Sequence, residues 1–163
     1  MIDISRQSFL NTAAIAILPV IVASLLGQLA TYPNIAGWYA GLVKPAFNPP
    51  NWIFPPVWTA LYILMAWAAW RITRLPFGAD GRKTALSFFF AQLAMNSVWS
   101  WLFFGLHSPI GGLLNIVPQL ILILLTIVRF WRLDRVAALC LVPLAGWVGF
   151  ASILNYAIWW LNG

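Results

Sequence analysis

Charge is scarce in this sequence. Nine Lys and Arg and three Asp and Glu make 7% of 163 residues, against 63% hydrophobic ones. Soluble domains carry roughly 25% charged and about 45–50% apolar residues, so a compact chain of this composition could not cover its surface in water. A soluble globular domain, a disordered chain, collagen and a coiled coil are excluded together. Cysteine occurs once, as Cys140, which removes a disulfide framework and a cysteine-based zinc site. Histidine also occurs once, as His107, and the acidic residues are Asp3, Asp80 and Asp134. None of the four lies in a long apolar run, so the chain offers no carboxylate pair for acid–base chemistry and no charged proton relay inside a membrane. Walker and dinucleotide glycine patterns are missing as well. What the chain has in abundance is aromatic surface: eleven Trp, eleven Phe and four Tyr. A net charge of +6 would suggest nucleic acid in a soluble protein, but here its placement matters more than its sum, and no nucleic-acid partner is expected.

Five apolar stretches approach the ~20 residues that cross a bilayer core: 9–30, 51–72, 84–105, 110–130 and 136–161. They predict an all-α integral membrane protein, a five-transmembrane-helix bundle forming one domain over 1–163. A transmembrane barrel would show short alternating segments, and the run Leu120-Ile121-Leu122-Ile123-Leu124-Leu125 has no alternation. The first stretch reads as a retained helix, because it lacks a convincing cleavage site. Basic residues divide unequally between the two sides of such a bundle. Arg6, Arg71, Arg74, Arg82, Lys83, Arg129, Arg132 and Arg135 fall on one side and Lys44 alone on the other. The positive-inside rule then puts the N-terminus in the cytoplasm and the C-terminus outside.

The connection 31–50 differs from the other loops, which are short. It carries Pro33, Pro45, Pro49 and Pro50 with Trp38, Tyr39 and Phe47. Prolines deny a helix its hydrogen bonds, and aromatic rings find an amphipathic surface at the membrane interface. Two readings stand, a lid over the mouth of the bundle or an interfacial anchor.

Inside the membrane the remaining chemistry is neutral. Gln92, Asn96, Trp99 and Ser100 share one face of the third stretch, Trp58, Tyr62 and Met65 one face of the second, and Trp147, Ala151 and Asn155 one face of the fifth. An amide in hydrocarbon is costly unless paired, so Asn96 and Asn155 must face other helices or a cavity, Asn155 as an interhelical hydrogen-bonding group. The aromatic faces fit either core packing or a flat-walled pocket for a large planar apolar ligand. The small-residue pairs Ala23 with Gly27 and Ala145 with Gly149 fit bundle packing or a dimer interface. His107 reads as a solvated interfacial residue, with haem ligation as the alternative.

The stretch WYAGLVKPAFNPPNWIFPPVWTALYILM, from Trp38 to Met65, resembles the signature of the translocator protein family, also called the tryptophan-rich sensory protein or peripheral benzodiazepine receptor family. The likeness continues in AQLAMNSVWSWLFFG (Ala91 to Gly105) and LVPLAGWVGFASILNYAIWWLN (Leu141 to Asn162). This resemblance implies a bacterial member: a five-helix homodimer in the lipid bilayer that binds protoporphyrin IX, haem or another tetrapyrrole. Isoquinoline and benzodiazepine compounds would be further ligands. It implies a pocket lined by Phe54, Trp58 and Tyr62, by Asn96, Trp99 and Ser100, and by Trp147, Ala151 and Leu154, under a lid containing Trp38 and Pro45. No cofactor and no metal are required, and the expected role is porphyrin sensing or transport. The alternatives are light-dependent porphyrin degradation, with Trp58 and Trp147 as redox-active side chains, and a membrane scaffold that engages other proteins. Two departures narrow the expectation. Leu144 follows Pro143 where the family usually has Tyr, and no basic residue follows Tyr156, which leaves the cholesterol motif of the animal members incomplete.

Overall fold

The computed structural model describes the backbone of residues 4–163 and the side chains from residue 10 on; Asp3 and the Arg6 side chain of the charge count lie outside these. Five helices follow one another: α1 (Ile4–Asn34), α2 (Phe54–Thr73), α3 (Arg82–Ser100), α4 (Pro109–Leu133) and α5 (Arg135–Asn162). Single wide turns extend α1 over Ile35–Tyr39 and α3 over Trp101–Gly105, and a short tight turn, Asn51–Ile53, leads into α2. The described residues contain no strand. Helix α1 packs on α2 and α3, α4 on α3 and α5, and α5 also on α2. The helices therefore close a ring in the order α1, α2, α5, α4, α3. Although consecutive and joined by a short connection, α2 and α3 touch little, because α1 packs on both. Residues 74–81 lead the chain from one side of the ring to the other.

Among the described residues, four segments are long and apolar enough to cross a membrane: Leu10–Tyr39, Asn51–Thr73, Pro109–Leu133 and Arg135–Asn162. Helix α3 is the exception because Gln92, Asn96, Ser97 and Ser100 lower its hydropathy. The first three of these are buried in the bundle, so α3 crosses among its neighbours with its polar face turned inward. The fold is an all-α membrane bundle of five helices.

The connection 31–50 is corrected by the structure. Helix α1 runs on through Pro33 to Asn34, and the wide turn carries it to Tyr39, so the irregular lid is confined to the stretch after Gly41. A proline within a membrane helix costs one backbone hydrogen bond, here the one to the Leu29 carbonyl, and α1 continues past it; Thr31 Oγ1 and Asn34 Nδ2 donate to the nearby Gly27 and Ala30 carbonyls at 2.9 and 2.8 Å.

The two ends of the bundle are built differently. Around the ends that carry the arginines, Ala16, Ala68, Ala69, Ala85, Phe89, Ile123, Phe130, Ala137 and Ala138 are fully buried. Small side chains let the helices approach closely, and Phe89 stacks on Phe130 at 5.9 Å. Arg82 is buried and donates from Nε and Nη2 to the Ile72 and Thr73 carbonyls at 3.3 and 2.9 Å. Its charge thus caps the carbonyl end of α2 and complements the helix dipole. Arg71 Nε pairs with Asp134 Oδ2 at 2.8 Å. Asp134 Oδ1 caps α5 by accepting the Val136 and Ala137 amides at 2.9 and 3.1 Å. Burial raises the Asp134 pKa, but Arg71 and the two amides outweigh it and hold the carboxyl below its ordinary value.

At the other end, Tyr39, Phe103, Phe104, Leu154 and Ile158 form a smaller aromatic core. Gly112 allows α4 to approach it: a Cβ there would lie 2.8 Å from Asn155 Oδ1 and 2.9 Å from a Phe103 ring carbon. On α1, the Ala23 carbonyl accepts from Ser97 Oγ at 3.0 Å, and a Cβ on Gly27 would lie 3.2 Å from Ser100 Oγ. That small-residue pair serves close packing of α1 on α3 within one chain.

Candidate ligand cavity

Among the helices lies a cavity of about 590 Å³, open on the side where the exposed Ile21, Leu25 and Tyr32 of α1 and Ile63 of α2 line it. Such a volume falls within the roughly 300–1,000 Å³ of small-molecule sites. From α2, Phe54, Trp58 and Tyr62 reach it at spacings of four residues, one turn each. Asn96, Trp99 and Ser100 line it from α3, and Trp147, Ala151 and Leu154 from α5. The nine helical residues singled out in the sequence therefore surround a single space.

Ring contacts set the walls. Phe54 meets Trp147 edge-on at 5.7 Å, tying α2 to α5. Trp58 tilts over Tyr62 at 5.6 Å, and Trp99 stacks on Phe103 at 5.0 Å with 16° between the planes. The walls are thus flat and apolar, with ring positions restrained by their neighbours.

The polar groups are few and mostly engaged. The Tyr62 hydroxyl donates to Asn96 Oδ1 at 2.7 Å, joining α2 to α3. Trp99 Nε1 donates to Asn155 Oδ1 at 3.0 Å, and Asn155 Nδ2 donates to the Pro109 carbonyl at 2.8 Å. Asn155 thus makes the interhelical bonds expected of it and lines the cavity too. No Asp, Glu, Lys, Arg, His, Cys or Met belongs to the lining among the described residues. The site can bind and orient an apolar aromatic molecule; it supplies no acid–base pair.

The lid residues behave differently from the helical ones. Trp38 does not line the cavity. It packs behind the wall, edge-on to Phe103 at 5.4 Å and stacked on His107 at 4.7 Å. His107 is exposed and its Nε2 lies 2.7 Å from Asn34 Oδ1; it does not reach the cavity. Pro45 is also outside the lining. Its carbonyl accepts the Asn48 amide at 2.9 Å in the turn that carries Phe47 against Phe150 at 6.3 Å. Tyr39 is buried, lines the cavity, and donates from its hydroxyl to Asn48 Oδ1 at 3.1 Å. The start of the lid is held by Asn162, whose Oδ1 accepts the Val43 amide at 3.0 Å and whose Nδ2 donates to the Val43 carbonyl at 2.9 Å.

Several lining residues escaped the sequence reading. Tyr39, Phe103 and Phe104 lie on the wide turns, where the usual helical spacing slips. Val20 and Gln28 of α1 and Ile116 and Gln119 of α4 complete the walls. Gln119 had a signal that was available: an amide within an apolar run must face protein or a cavity, as was argued for Asn96.

A five-helix membrane bundle with an aromatic-walled cavity among its helices defines the class of the fold, an all-α membrane protein with room for an apolar guest. Residues 15–161 match the model of the TspO/MBR family. The chain is 43% identical over 147 residues to "Tryptophan-rich protein TspO" of Archaeoglobus fulgidus, covering 90% of this chain and 94% of that one. It is 41% identical to "Protein CrtK" of Rhodobacter capsulatus over 77% of this chain and 78% of that one. It is 32% identical to the human "Translocator protein" over 75% of this chain and 73% of that one. The chain belongs to the TspO/MBR family.

Proposed function

We propose that the cavity binds a tetrapyrrole, protoporphyrin IX or haem, and that the protein acts in porphyrin sensing or transport across its membrane. The observation that carries this reading is that Phe54, Trp58, Trp99 and Trp147, from three helices, wall one cavity of about 590 Å³. Flat rings stack on a planar macrocycle, and the scarcity of charge suits an apolar guest. The lining fits the ring system better than an iron atom, because it contains no His, Cys or Met; haem would be held by its faces and edge. Smaller fused aromatic compounds of the isoquinoline and benzodiazepine type suit the same walls. Titrating detergent-solubilised protein with protoporphyrin IX tests the proposal: the Soret band should shift saturably with one equivalent per chain. Linear uptake, equal to that of empty micelles, would reject it.

The proposal includes a homodimer, which light scattering in detergent checks. It also includes an orientation. Arg71, Arg74, Arg82, Lys83, Arg129, Arg132 and Arg135 all sit at the same end of the ring, where α2 and α4 finish and α3 and α5 begin, and that end belongs in the cytoplasm. Reporter fusions at the two termini should read on opposite sides. A second reading, light-dependent porphyrin oxidation by dioxygen, is favoured by Trp58 and Trp147 facing the same cavity. A discrete tetrapyrrole product under illumination supports it, and bleaching at the rate of free porphyrin removes it.

A further inference from the structure

Among the described residues, three buried amide atoms have no hydrogen-bond partner: Gln92 Oε1, Asn115 Oδ1 and Gln119 Nε2. Gln119 stands apart from the other two because it lines the cavity while only 1% exposed. The neighbouring amides are already committed, Asn96 Oδ1 to Tyr62 and both polar atoms of Asn155 to Trp99 and Pro109. Asn115 Nδ2 donates to the Met95 carbonyl at 3.3 Å and so sets the register of α4 against α3. Gln119 is one turn further along α4 and Gln92 one turn back along the antiparallel α3, which puts the two carboxamides at one level of the bundle.

A donor buried without a partner is costly, and it becomes favourable when a guest supplies the acceptor. We infer that Gln119 is a ligand-recognition residue that donates to the carbonyl or carboxyl oxygen of an otherwise apolar guest, at the end of the cavity remote from the lid. An ionised carboxylate is disfavoured at this depth, so the matching group is a neutral acid, ester or amide. The aromatic walls hold the ring, and Gln119 distinguishes guests with this polar edge from pure hydrocarbons, which leave the donor unpaired. This inference rests on the cavity being the tetrapyrrole site.

The test compares protoporphyrin IX, which bears carboxyl groups, with etioporphyrin, the same ring carrying only alkyl groups, on the full chain in detergent. Wild type should bind protoporphyrin IX the more tightly. Gln119→Met and Gln119→Leu, chosen as apolar side chains of similar size, should weaken protoporphyrin IX roughly five- to tenfold and leave etioporphyrin unchanged or tighter. Equal losses for both porphyrins, or no loss for either, overturn the inference while leaving the cavity as the binding site. If wild type binds neither porphyrin saturably, the tetrapyrrole reading falls and the inference falls with it.

Discussion

The arginine-bearing end and the aromatic end of this bundle cross the same membrane with opposite use of their residues. At the first, alanines and Phe89 on Phe130 fill the space between helices, and Arg82, Arg71 and Asp134 tie helix ends together. At the second, large rings in contact with one another line a cavity of about 590 Å³, and hydrogen bonds such as Tyr62 to Asn96 brace its walls. Small residues pack and hold; large rings on separated helices keep a space open. The difference separates the part of the chain that maintains the fold from the part available to a ligand.

Substitutions should therefore act differently at the two ends. The largest stability effect belongs to the filled end. Phe130→Ala removes a fully buried ring and should cost about 3–5 kcal/mol, read as a large fall in melting temperature in detergent with little selective effect on ligand affinity among the molecules that remain folded. Gly112→Ala strikes the point where α4 meets the aromatic end. Its new methyl would meet Asn155 and Phe103 at under 3 Å, so a loss of about 1–3 kcal/mol should accompany weaker porphyrin binding. An unchanged melting curve would show that α4 can move away freely.

Asp134→Asn sharpens the comparison through pH. The carboxyl is held below its ordinary value by Arg71 and two amides, so it stabilises the fold above the unfolded value of roughly pH 4. That contribution fades as pH drops through the lower folded value, because the unfolded chain takes up its proton first. Melting temperature should fall less on acidification in Asp134→Asn than in wild type, and the substitution itself should cost up to about 1 kcal/mol at neutral pH through the lost ion pair with Arg71, because Asn caps a helix as well as Asp does. Trp147→Phe is expected to have the smallest effect on stability, within about 1 kcal/mol, because the side chain borders open space. Its consequence should appear in protoporphyrin IX affinity instead.

Much of this arrangement was legible in the sequence, and what was not has physical causes. Trp58 and Tyr62 share a face by spacing alone, the family resemblance added Phe54, and the cost of an amide in hydrocarbon directs Asn96 and Asn155 inward. Periodicity within one helix says nothing of the register between helices, which is why Val20 of α1 and Ile116 of α4 went unnoticed as lining. Pro33 read as a helix stop, yet a membrane helix can run through a proline at the loss of one backbone hydrogen bond, and α1 does so. Trp38 read as part of the lid, but the extended α1 carries it behind the wall, onto His107. Arg82 counted only as a topology signal, whereas its side chain folds inward to cap α2.

The most direct test asks which tryptophans sense the ligand. Quenching of intrinsic fluorescence by protoporphyrin IX should be compared in Trp58→Phe, which alters the cavity wall, and Trp131→Phe, which alters an exposed ring on α4 at the arginine-bearing end. Saturable quenching should be weakened by roughly tenfold in affinity in Trp58→Phe, consistent with about 1.4 kcal/mol of lost ring contact, and should be unchanged in Trp131→Phe. Equal behaviour of the two variants, or quenching that rises linearly without saturation, would contradict a ligand site within the aromatic cavity.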